Sequence, residues 1–175
     1  MCWGKGLFVL AFAVPLITGG TAEADPLAIN GEVATPLTLN DDALGGTSVS
    51  ATIGGVQYSG SSVYSLISDA GFENNPAQAK NGNLLDYLTI TGTTGRSAVL
   101  SEGQIDPNFG GQAGNPQDFV ATSANGSPIA PRLIVQSDPN GTSDGYDITG
   151  VRSITVGWAT LPAFSTSVLN NESSL

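Results

Sequence analysis

The sequence predicts a β-rich α+β domain with few short helices. Three observations predict it. Charged residues make up only 11% of the chain, against roughly 25% in an ordinary domain, which excludes coiled coils and charged helical bundles. Glycine and proline, 23 and 10 of 175 residues, break the chain into short segments. Most of those segments alternate polar and apolar residues with many Val, Ile, Leu and Thr, the period of a half-buried strand. The length suits one domain.

Met1 to Ala24 reads as a signal peptide. Lys5 precedes the apolar run Leu7 to Ile17, and Ala22-Glu23-Ala24 forms an A-x-A cleavage site. The run is the length of a signal core and short for a membrane span. The expectation is a mature chain beginning at Asp25, periplasmic or secreted, with no membrane span after cleavage. A domain then covers residues 25–158, and a mobile tail without periodicity covers 159–175.

Within the domain, Leu27 to Val33 and Pro36 to Leu39 read as strands. Asn40-Asp41-Asp42 can cap one helical turn ending at Gly45-Gly46. Thr47 to Ile53 alternates, Gly54-Gly55 makes a tight hairpin turn, and Val56 to Ser59 returns. The clearest helix follows. Ser61 or Ser62 can cap it, Val63, Leu66, Ile67 and Ala70 share one face, and Gly71 can end it. Leu84 to Thr91 and Arg96 to Leu100 form a second hairpin around Gly92 to Gly95. Ser101 to Gln104 starts another helical turn, which Pro107 ends. After a glycine-rich loop at Phe109 to Pro116, Asp118 to Ser123 is a strand and Asn125-Gly126 a hairpin signal. Pro131 to Gln136 is the most buried-looking strand, Asp138 to Gly150 a long polar loop, and Val151 to Trp158 the closing strand.

Composition also bounds function. The net charge is −10, which opposes binding to nucleic acid or to anionic membranes. There is no histidine, so Ser-His-Asp and Cys-His catalysis and His-based zinc sites are excluded. The sole cysteine, Cys2, lies in the leader, so no disulfide can form within the chain.

The order of these motifs resembles the molybdopterin-binding domain of the sulfite oxidase family, in its short stand-alone form. Pro36-Leu37-Thr38-Leu39 is similar to the family's PLTL lead-in. Gly55 to Gly60, with the helix ending at Gly71, is similar to GVxYxG…LLxxAG. Leu88 to Asp106 is similar to VTGxDGYxxxFSLxEID. Asn125 to Pro128 with Pro131 to Val135 is similar to NGxPL…GPLRLVVPGD, and Val151 to Val156 fits the last strand. The resemblance implies an α+β fold with mixed, curled sheets and few short helices, and an oxidoreductase with a molybdopterin cofactor. It implies a cofactor phosphate contact for Arg132, which matches the arginine of the LRLVVPG strand.

The chemistry of that family is nonetheless incomplete here. Soft thiolate ligation of molybdenum needs a cysteine, and the mature chain has none. The family's His, expected near Ser127, and its Lys, expected near Tyr146 to Ile148, are absent. The VVPGD corner reads Val135-Gln136-Ser137-Asp138. The expectation is a module without redox turnover of its own, whose partner is a small anionic ligand or an exported redox protein. Arg96 and Arg152 are expected to be solvated, and on the residues alone Arg132 reads as a strand-end arginine, snorkelling or pairing with a nearby acid.

A second constellation points elsewhere. Asp138, Asn140, Asp144 and Asp147 place hard oxygen ligands at short spacings, which suits Ca²⁺. The EF-hand pattern fails, because glycine falls at the fourth position and no glutamate at the twelfth. An acidic loop of Asx turns has the same composition. The alternative function is therefore a secreted β-rich surface or adhesion module with a calcium-binding loop. Asp86, Glu102 and Asp106 could supply paired carboxylates for glycoside hydrolysis, but Trp158 is the only tryptophan after the leader and offers little sugar platform.

Overall fold

Strand pairing organises the domain in the computed structural model, which describes residues 25–40, 42–45, 48–73, 85–107, 117–136 and 146–159. The described strands are β1 (Leu27–Gly31), β2 (Leu37–Leu39), β3 (Ser48–Ile53), β4 (Val56–Ser62), β5 (Asp86–Gly92), β6 (Ser97–Ser101), β7 (Phe119–Ala124), β8 (Ser127–Ile134) and β9 (Val151–Trp158). Two short helices, α1 (Val63–Asp69) and α2 (Glu102–Ile105), and a 3-10 turn at Ala43–Gly45 complete the set. One sheet has the order β2-β1-β9-β5-β6 and the other β3-β4-β7-β8. The first is mixed, because β1 runs parallel to β9 while the other pairs are antiparallel. The β-rich α+β architecture expected from the sequence is therefore present.

The period-2 pattern decides which face of each strand is buried. Strand β5 alternates Leu88 and Ile90 inward, β6 Ala98 and Leu100, and β9 Ile154 and Val156. These meet Val120 and Leu133 of the second sheet, Val135 just after β8, and Val63, Leu66 and Ile67 of α1 in one core. A fully buried Leu or Ile contributes about 1.5–3 kcal/mol of transfer free energy, so this cluster is the main source of stability. The opposite face of the second sheet carries a smaller apolar cluster. Phe119, Ala121 and Ile134 are fully buried there, and Val49, Ala51, Ile53, Tyr58 and Ile129 pack partly buried against them.

Local chemistry sets the boundaries. Ser62 caps α1, its hydroxyl accepting from the Ser65 amide at 3.4 Å. Gly71 follows at φ +71. Ser101 caps α2 in the same way, accepting from the Gln104 amide at 3.2 Å. Gly54 and Gly55 both have positive φ, as a two-residue hairpin turn requires.

The structure corrects several expected boundaries. Strand β1 ends at Gly31, and Val33 makes only an isolated bridge to Phe72. Strand β4 runs on to Ser62 rather than stopping at Ser59, because a bulge between Ser59 and Gly60 restores its pairing with β7. Gly60 permits this, since a Cβ there would meet the carbonyl oxygen of Val120. Strand β8 starts at Ser127, not Pro131, because the Asn125-Gly126 turn is tight enough to pair Ala124 with Ser127 at once. Its prolines, Pro128 and Pro131, are tolerated on an edge strand. Of the segment expected as a long polar loop, residues 146–150 are described and are held to the second sheet: Ile148 is buried, its carbonyl accepts from the Leu133 amide at 3.0 Å, and Thr149 bridges to Arg132. Residues 1–24 and 160–175, and with them the leader and most of the tail, lie outside the described residues. Among the described residues no helix is long and apolar enough to cross a membrane.

Candidate functional site

Arg132 stands opposite Ala121 in the register of β8 with β7. Its neighbour Leu133 faces the main core, so alternation sends Arg132 to the outer face of the second sheet. There its guanidinium lies over the ring of Tyr58, 5.8 Å from the centroid. Its Nη2 donates to Oδ1 of Asp147 at 2.9 Å. The two side chains are 24% and 37% exposed, so water screens the pair and it contributes at most about 1 kcal/mol. The contact with Tyr58 adds about 0.5–1 kcal/mol. The Nε of Arg132 is buried and makes no hydrogen bond among the described residues.

This geometry joins two residues that the sequence assigned to different sites. Arg132 was expected as a cofactor contact and Asp147 as a calcium ligand, and they are partners. Asp138, Asn140 and Asp144 lie outside the described residues. Among the described residues no group of three or more acidic, His or Cys side chains could hold a metal ion. Arg96 lies in the turn before β6 and Arg152 on β9, both exposed as expected. Arg152 alternates with the core residue Val151, so it sits on the outer face of the first sheet, away from Arg132. The arginines do not make one anion pocket.

A second polar constellation escaped the sequence reading. Asp118, fully buried just before β7, accepts from the Gln136 amide at 2.8 Å through Oδ1 and from Gln104 Nε2 at 3.3 Å through Oδ2. Its own carbonyl accepts from the Val63 amide at 2.9 Å. One residue thus ties the start of α1, the middle of α2 and the end of β8. Asp86 and Glu102, also buried, lie one step beyond the Tyr87–Ser101 pair of β5 and β6. Nearby, burial first, and then the charges of Asp106 and Glu102, raise the Tyr64 hydroxyl above its usual pKa. The only sequence signal for the Asp118 tie was an acid placed immediately before an apolar strand.

The site and fold together define a two-sheet α+β domain with a neutralised arginine on its outer face. Neither a protein-family model nor a curated protein matches the sequence. Among solved structures, the domain is similar to the sulfane dehydrogenase SoxCD from Paracoccus pantotrophus, with a TM-score of 0.57 and 16% identity. The likeness covers 83% of this chain and 40% of that one, so the chain spans well under half the length of its neighbour. At this identity the likeness is one of fold.

Thiolate-ligated molybdenum does not fit the residues present. The only cysteine is Cys2, and no described side chain replaces it as a soft ligand. Arg132, the residue that the sequence offered for a cofactor phosphate, already gives its charge to Asp147.

Proposed function

We propose that the chain is an exported binding module, built on the fold of a sulfite-oxidase-type molybdopterin domain and without redox turnover of its own. Its function is to engage an exported partner protein. The fold likeness to a sulfane dehydrogenase and the ordered motifs support the lineage. The observation that carries the functional reading is the Arg132–Asp147 pair. An anionic cofactor would have to displace an intramolecular carboxylate before it gained the guanidinium, and no thiolate is present to hold its metal.

The test uses protein purified gently from the culture fluid or periplasm of its own host. Mass spectrometry measures molybdenum, tungsten and calcium, and acid-released pterin fluorescence is read on the same sample. The expected result is neither pterin nor molybdenum, with a partner protein recovered by crosslinking before lysis. Stoichiometric pterin overturns the reading. So does stoichiometric calcium with a calcium-dependent rise in Tm that Asp144→Ala removes, which would establish the surface-module alternative.

A further inference from the structure

Each sheet has two edge strands, and three of the four are protected in ways that block further pairing. Strand β2 has three residues, follows Pro36 and is succeeded by Asp41 and Asp42. Strand β6 has five residues, is preceded by the exposed Arg96 and runs directly into α2. Strand β8 contains Pro128, Pro131 and Arg132 and is bridged by Thr149. The fourth, β3, has none of these devices. It is six residues long, SVSATI, without proline or charge. Among the described residues it pairs only with β4. No residue between Asp42 and Asp69 carries charge, although the chain as a whole stands at −10. This is the longest uncharged stretch of the sequence, and two copies can meet along it without like-charge repulsion.

The backbone also fits a self-pairing. The two-residue turn makes Ile53 and Val56 the closing hydrogen-bonded pair, and the register then alternates along Ala51–Tyr58 and Val49–Gly60. The amides of Ser50 and Thr52 consequently point to the open edge. An antiparallel partner of the same sequence keeps both faces in phase when Ala51 meets Ala51 of the second copy. Ser50 then exchanges hydrogen bonds with Thr52, and Val49 packs on Ile53 along the partly buried apolar face. We propose that β3 docks a second copy of this chain in this register, as an isologous dimer that joins the two four-stranded sheets. The proposal is independent of the reading of Arg132. An interface of this size is weak, with a Kd on the order of 100 µM.

Sedimentation equilibrium of the full-length protein, up to about ten times that Kd, should show the mass rising from one chain toward two. Ala51→Lys should hold it at one chain while leaving the circular dichroism spectrum unchanged; Ser50→Lys, at an exposed position, serves if the first variant fails to fold. In a Cys2→Ser background, Ala51→Cys should form an interchain disulfide at least tenfold faster than Val99→Cys on the exposed side of β6. That is because Cα atoms in a non-hydrogen-bonded pair lie about 4.5 Å apart, within disulfide range. Equal crosslinking at the two positions overturns the proposal, as does a dimer that both lysine variants leave intact.

Discussion

The five-stranded sheet and the β3–β4 hairpin are made of the same kind of strand yet live in different environments. In β5 every second residue is sealed into the core, with Leu88 and Ile90 fully buried. In β3 every second residue, Val49, Ala51 and Ile53, is apolar but only partly covered. The five-stranded sheet holds a strand on both sides of β9 and β5, whereas β3, among the described residues, has one neighbour. Apolar alternation therefore reports which face of a strand seeks cover, and the topology decides whether the protein itself supplies that cover.

This contrast is open to direct tests. Leu88→Ala should cost about 2–5 kcal/mol in denaturant unfolding, and Ile53→Ala should cost less than half as much; equal costs would mean that the hairpin face is sealed after all. Asp118→Ala should cost about 2–4 kcal/mol, because the Gln136 amide and the Gln104 side chain each lose a charged acceptor in a buried place. The measurement that checks it is the urea midpoint at constant m. Arg132→Ala should cost only about 1 kcal/mol, since its partner is more than a third exposed, and most of that loss should disappear in the Asp147→Asn background if the pair is the main contact. The smallest effect is in alkali. The Tyr64 hydroxyl is raised by burial and by Asp106 and Glu102, so its contribution is fully present below pH 10.0, the unfolded value, and is lost as pH rises through the higher folded pKa. Tyr64→Phe should flatten the stability curve between pH 10.0 and that higher folded value.

Much of the fold was legible because local chemistry and pattern agree. Ser62, Val63, Leu66, Ile67 and Gly71 encode their helix within ten positions, and Gly54-Gly55 encodes its turn in two. What the sequence hid depends on long-range pairing. The extension of β4 to Ser62 rests on Gly60 lying against β7, and the early start of β8 rests on the Asn125-Gly126 turn bringing Ser127 beside Ala124. The same holds for the site. Arg132 was visible as a candidate, and so was the option of a paired acid, but only the bridge from β8 to Thr149 shows that the acid is Asp147. Asp118 looked like a strand-start residue, since nothing near it in sequence announces Gln104 or Gln136.

The position of β9 has a consequence for how the molecule is made. Strand β9 lies between β1 and β5, pairing with both, yet it is the last described strand in the chain. Until Val151 to Trp158 has been synthesised, β1 with β2 and β5 with β6 are two separate ribbons, and two-stranded ribbons are marginal in water. The five-stranded sheet therefore closes only after β9 has been synthesised, through contacts of high sequence separation that slow folding.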